Sequence, residues 1–289
     1  MNSLPPEYLD KRQVSQSFDR VAAIYEQRAR LQKMVGEDLL ERLQWLKLVP
    51  HQILDVGAGV GRLSRALSRQ YKHAHVYSVD IALEMVKVGH LHAPRWFSKQ
   101  HFVCADAAQL PFADDSVDLL VSNLMLQWCN DIQVVFAEFA RVLKPEGALF
   151  FSSFGPDTLK ELRESWASVD SASHVNRFLD MHDYGDALLQ VGLSNPVMDV
   201  DRFQFTYSDA KQLMRELKYI GAHNLTAGRS RSLTGKGKFQ AMLAAYEEYR
   251  SAEGLLPATY EVVYGHAWGK KQFSGAAVAI PISQIGRRI

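Results

Sequence analysis

Three carboxylates and one run of glycines have the types and spacing to do chemistry. Asp55-Val56-Gly57-Ala58-Gly59-Val60-Gly61 follows a short apolar run and precedes a helical stretch, RLSRALSRQY. Glycine has no Cβ, so such a turn bends tightly and admits a ligand close to the backbone. In an open α/β sheet that turn lies at the carboxyl edge, where ligands bind. Asp80 closes the next strand, VYSVD, and is placed to accept hydrogen bonds from two ribose hydroxyls. Asp106, in CADAAQLPF, ends the third strand and is placed to meet an adenine amino group, with the Ala107 amide beside it. Asn123 and Leu124 end the fourth strand and offer backbone groups at the same edge.

The glycines alone leave three readings open: a structural turn, a nicotinamide site or an adenosylmethionine site. A nicotinamide fingerprint reads GxGxxG, and here the third glycine comes one position early. An acid two residues before the first glycine, and another at the third strand end followed by Leu110-Pro111-Phe112, also suit S-adenosylmethionine, with Asn123 and Leu124 at its methionine end. Taken together, the set resembles the class I methyltransferases over about residues 50–155. The resemblance implies a cofactor site made of Asp55, Gly57, Ala58, Gly59, Gly61, Asp80, Ile81, Met85, Asp106, Ala107, Asn123 and Leu124, with S-adenosylhomocysteine as product.

The elements that must position these residues show in the hydrophobic rhythm. Short, near-continuous apolar runs alternate with helical patterns from His51 to Phe154, which predicts a mostly parallel sheet with helices on both faces. Residues 1–48 read as a helical cap, with Phe18, Val21, Ala22 and Tyr25 at helical spacing. After Phe154 the rhythm loosens, and two helical stretches at 208–257 interrupt before a closing strand, TYEVVYGHAW. The expectation is one domain over 1–268: a Rossmann-like, seven-stranded fold with the cap and a helical lid inserted before the last strand. Residues 269–289 read as a tail.

Bulk properties narrow the partners. The chain of 289 residues has 33 basic and 32 acidic side chains and a formal net charge of +1. That balance carries no global signal for nucleic acid or membrane. Two cysteines, Cys104 and Cys129, form no disulfide framework and read as small core groups; the ten histidines show no metal-ligand spacing. The N-terminal stretch MNSLPPEYLDKRQ is polar, and no apolar run approaches the ~20 residues of a membrane span. A cytoplasmic protein without a metal is the expectation.

The second half narrows the substrate. His174-Val175-Asn176-Arg177-Phe178, LMRELKYIGAHNL, AGRSRSLT and PATYEVVYG are not generic to the fold. With FDRVAAIYEQ and NLMLQWCND they resemble the malonyl-acyl-carrier-protein O-methyltransferases of biotin synthesis, from about Ser17 to Trp268. That resemblance implies methyl transfer to the free malonyl carboxylate of a malonyl-phosphopantetheine carrier protein, or of the coenzyme A thioester. An anionic acceptor attacks without a general base, so the protein must chiefly align the groups and exclude water. Tyr25, on a helix crossing the mouth of the site, and Arg177, whose fork matches a carboxylate, are the expected catalytic pair. Residues 211–238 concentrate bases, and Arg215, Lys218, Arg229 and Arg231 are the expected carrier contacts. Helix packing explains Phe18 and Val21 equally well, and a solvated helix face would explain the bases. Rival readings are a methyltransferase acting on another small acid or a quinone precursor, a methyltransferase-fold assembly factor or hydroxylase of respiratory complex I, and a nicotinamide oxidoreductase.

Overall fold

The computed structural model describes residues 8–94, 98–222, 224–227 and 235–270. Seven strands form one sheet in the order β3-β2-β1-β4-β5-β7-β6. The first five, β1 (Gln52–Val56), β2 (His75–Asp80), β3 (Gln100–Cys104), β4 (Val117–Asn123) and β5 (Leu143–Phe154), run parallel. The last two, β6 (Ser194–Tyr207) and β7 (Leu256–Trp268), are antiparallel to their neighbours, with β7 between β5 and β6.

Alternation along the central strands builds two cores. Ile53 and Leu54 are both fully buried yet belong to opposite layers, because successive side chains leave a strand on opposite faces. One layer takes Val35, Leu39 and Leu43 from α2 (Arg30–Gln44) and Leu67 from α3 (Arg62–Gln70). The other takes Phe136 and Phe139 from α5 (Ile132–Val142) and Tyr184 and Leu188 from α7 (Met181–Gln190). This two-sided cover is why the strands read as continuous apolar runs. β3 lies at the sheet edge, so Cys104 is exposed there and is not the core group expected from sequence.

The N-terminal cap is two helices. α1 (Lys11–Arg28) is capped by Asp10, whose side chain accepts from the Arg12 amide, and it breaks at the buried Ala29 before α2. α1 also completes α4 (Leu83–His92): Asp19 accepts from the Glu84 amide at 2.8 Å, where α4 has no cap of its own. After β5 comes α6 (Lys160–Ala167). The insert between β6 and β7 carries α8 (Ala210–Tyr219), capped by Asp209, and α9 (Lys236–Glu247). A strap at Tyr8 and Leu9 pairs with the insert: Leu9 bridges Thr226, and the Ala227 amide donates to the Tyr8 carbonyl at 2.8 Å. Asn130, just before α5, clasps the same strap, accepting from the Leu9 amide at 2.7 Å and donating to its carbonyl at 2.9 Å.

Candidate cofactor and acceptor site

At the carboxyl ends of β1, β2 and β4, two cavities of 320 and 260 Å³ flank the glycine turn. Gly57 and Gly61 hold φ of 75° and 73°, a left-handed conformation that favours glycine. A Cβ at Gly57 would overlap the Met125 side chain. The turn's amides are mostly spent within the protein. Gly57 and Ala58 both donate to the Val79 carbonyl, at 2.8 and 3.0 Å, and Gly61 donates to the Ala58 carbonyl at 2.9 Å. Gly61 therefore serves the turn: it feeds α3, and it lines neither cavity, unlike Gly57 and Gly59.

The carboxylates carry the recognition chemistry. Asp80 accepts from the Gly59 amide and the Ala82 amide, each at 2.8 Å, so both its oxygens are fixed while the group faces the larger cavity. Burial pushes its pKa up to about 6, against the pull of those amides. Asp55 is buried; Ser64 donates to Oδ2 at 2.5 Å, and Oδ1 has no partner among the described residues. Burial again dominates and raises the Asp55 pKa to about 7. Two desolvated carboxylates beside one cavity system favour a cationic occupant, and the unpartnered Oδ1 fits the ammonium of an amino-acid tail.

The other expected cofactor residues sit around the same two cavities. Ile81, Met85, Asp106, Ala107 and Leu124 line the larger one, Ala58 the smaller, and Asn123 both. Asp106 Oδ1 accepts from the Ala108 amide at 2.9 Å. Leu124, at φ 49°, spends its amide on Ser152 and its carbonyl on Gln127 Nε2, so its contribution to the cavity is chiefly its side chain.

A third cavity of 620 Å³ lies on the far side of α1, walled by Phe18, Leu124, Trp128, Phe154 and Tyr260. Tyr25 lines all three cavities, with Phe18 packed edge-on to it at 6.3 Å between ring centroids. Burial, with the Asp80 charge adding to it, raises the Tyr25 phenol well above its ordinary value, so it remains a hydroxyl. His174 also faces the third cavity, but its ring stacks flat on Trp166 at 3.8 Å and its Nε2 meets Asp170 at 2.8 Å.

The segment that carries Arg177 walls the third cavity. His174, Val175, Asn176 and Phe178 line the third cavity, while Arg177 among them is exposed and outside the lining. Lys218 lines the third cavity and Arg215 an adjoining outer basin. Arg229 and Arg231 lie outside the described residues, as does the tail from 271 on.

Two lining residues had no signal in the sequence. Lys11 meets Asp106 at 2.5 Å across the mouth of the larger cavity. Gln32, on α2, lines the smaller cavity and the third; its Oε1 is buried without a partner among the described residues, and its carbonyl accepts from Asn123 Nδ2 at 2.9 Å. Cys129 is pushed up to about 12 by burial, which removes it as a nucleophile. Among the described residues there is no cluster able to hold a metal, and no helix long and apolar enough to cross a membrane.

Comparison with known proteins agrees with this geometry. Residues 54–151 match the model of the methyltransferase domain. The malonyl-[acyl-carrier protein] O-methyltransferase of Methylovorus sp. (strain MP688) is 50% identical, covering 94% of this chain and 92% of the relative. That of Gallionella capsiferriformans (strain ES-2) is 48% identical, covering 90% of this chain and 91% of the relative. Among solved structures, the YcgJ protein of Bacillus subtilis superposes with a TM-score of 0.58 at 16% identity, over 82% of this chain and 99% of that one. A phosphoethanolamine N-methyltransferase of Haemonchus contortus, solved with S-adenosyl-L-methionine, gives 0.51 at 17%, over 81% and 53%. These likenesses show the class I methyltransferase fold.

Proposed function

Because the chain belongs to the malonyl-[acyl-carrier protein] O-methyltransferase family, we propose that it methylates the free carboxylate of a malonyl group carried on acyl-carrier protein. The product is the malonyl methyl ester from which pimeloyl synthesis for biotin starts. The cofactor is S-adenosylmethionine, which supplies a methyl group on a sulfonium.

The observation that carries this reading is the position of Tyr25, which alone among the described residues lines both cofactor cavities and the 620 Å³ cavity. Asp80 would take the ribose hydroxyls with the oxygen faces that its two backbone amides leave open. Asp55 would face the ammonium, and Asp106 the adenine. In the larger cavity Tyr25, kept protonated by its surroundings, donates its hydroxyl to position the acceptor. An ionised carboxylate is its own nucleophile, so the absence of an imidazole free to act as base beside Tyr25, among the described residues, suits the reaction. Phe18, Leu124 and Trp128 enclose the meeting point and exclude water, which strengthens every charge interaction inside. Arg20 and Lys218 on the lining draw the anion in.

Mass spectrometry of malonyl-carrier protein incubated with enzyme and cofactor tests the reading. One methyl group should be added to the malonyl unit, removable by an esterase. Methylation of free small acids with no gain on the carrier would replace it with the first rival reading.

A further inference from the structure

The third cavity opens outward into a basin of 540 Å³, and the two share a rim made of Arg28, Arg30 and Glu216. Arg28 is the last residue of α1 and Arg30 the first of α2, either side of the buried Ala29. The break at Ala29 therefore turns the exposed arginines on either side of it outward at one elbow. Arg28 lies over the Tyr219 ring at 5.2 Å and Arg30 over the Phe205 ring at 4.8 Å. Neither forms an ion pair with a described residue. Arg215, on α8, closes the far side of the basin with its Nε on the Lys211 carbonyl at 3.3 Å. Glu216 is the single acid on the shared rim, and its charge falls on the Tyr207 phenol, which burial and then Glu216 raise.

Stacking uses the face of a guanidinium and leaves its in-plane N–H donors open. Two guanidiniums pinned by their faces, with donors directed into one basin, match the tetrahedral oxygens of a phosphodiester. The path inward from them runs past Phe205 and Phe178 through an apolar cavity to Tyr25. A ligand with a phosphate at its outer end, a linear middle and an anionic tip fits that layout.

Resting on the functional reading above, we propose that Arg28 and Arg30, with Arg215 opposite, grip the phosphodiester through which the pantetheine arm is joined to the carrier protein. The dock is then composite: the elbow of the N-terminal cap holds the phosphate, and α8 of the insert faces the carrier body. An arm lacking the phosphate reaches Tyr25 without this grip.

The test is the double variant Arg28→Gln/Arg30→Gln, with two readouts. Fluorescence anisotropy compares labelled holo-carrier with apo-carrier, which has no arm. The wild type should bind the holo form more tightly, and the variant should lose about 10- to 100-fold on it, falling to the apo level. In kinetics, the variant's fold-loss in kcat/KM on malonyl-carrier protein should exceed its loss on malonyl-pantetheine by at least about tenfold. Arg28→Lys/Arg30→Lys, which keeps both charges but loses the forks, should fall between wild type and the glutamine variant. Equal losses on the two malonyl substrates, or holo-carrier affinity unchanged by the variant, would overturn the proposal. A wild type that methylates neither substrate would overturn the functional reading instead, and holo-carrier binding would still decide the dock.

Discussion

In the cofactor half the carboxylates are tied to groups nearby or on the adjacent loop: Asp80 to the Gly59 and Ala82 amides, Asp106 to the Ala108 amide and Asp55 by one oxygen to the Ser64 hydroxyl. In the acceptor half the wall is gathered from α1, the end of β4, the segment 154–178, β6, α8 and β7, and its buried amide oxygens on Gln32 and Asn176 have no partner among the described residues. Asp80 and Asp106 in the first half are thus held by short-range bonds before a ligand arrives, and the second half is held by packing between distant parts of the chain. Preorganised groups act on affinity for what they hold. A packed, rim-charged cavity acts on which acceptor enters.

The comparison breaks most sharply at Asp80. Asp80→Ala removes the proposed ribose acceptor and leaves the Gly59 and Ala82 amides without it, so calorimetry should show cofactor affinity falling about 10- to 1,000-fold. KM for the malonyl substrate at saturating cofactor should stay within about twofold if the halves are independent. A parallel rise in that KM would merge the two regions into one.

Proton linkage should follow the same division. Asp55 and Asp80 titrate near 7 and 6 in the ligand-free fold, above the ordinary carboxylate range. Each raised pKa means that the free protein loses stability as pH climbs from about 4 towards 7, since its native state binds protons more tightly than the unfolded chain. A cationic ligand reverses this by favouring the ionised forms. Cofactor affinity should therefore drop about tenfold between pH 8 and pH 6, with proton release measurable by calorimetry in buffers of different ionisation enthalpy. Affinity flat across that range would remove the two acids from the cofactor's charged end.

On the acceptor side the expected effects are smaller and depend on salt. Arg215→Glu/Lys218→Glu should raise KM for malonyl-carrier protein about fivefold at low ionic strength, less at high, while cofactor affinity holds. Smallest of all is Arg177→Ala. Its exposed position outside the cavity predicts turnover within about twofold of wild type. A large loss would show the 174–178 segment turning over when substrate binds.

The division also tracks what the sequence made legible. Asp55 lies one residue before the end of β1, Asp80 ends β2 and Asp106 follows β3 by two residues; with the glycine turn, local pattern and the parallel-sheet rule locate the cofactor cavities. The residues beyond its reach belong to long-range contacts: Lys11 meets Asp106 across 95 positions, and Asn123 holds the Gln32 carbonyl across 91. Periodicity carries no information at such separations. The orientation of Arg177 is illegible in the sequence for a related reason. A motif identifies a segment, but an irregular segment does not disclose which of its neighbours turns inward. The cap was legible as helices, while its break at Ala29, which turns Arg28 and Arg30 outward, left no proline or glycine to mark it.

The place of β7 has a consequence for how the chain is made. All of β6's ladder partners lie on β7, and β7 separates it from β5. On a ribosome, β6 emerges more than a helix pair before the strand it must join. Until residues 256–268 clear the exit tunnel, β5 and β6 each wait with an unpaired edge, and such edges invite pairing with other chains. The half that would bind the cofactor is already synthesised by then; the wall of the acceptor cavity waits for Tyr260. A nascent chain could thus hold a nucleoside before it has anywhere to put the acceptor.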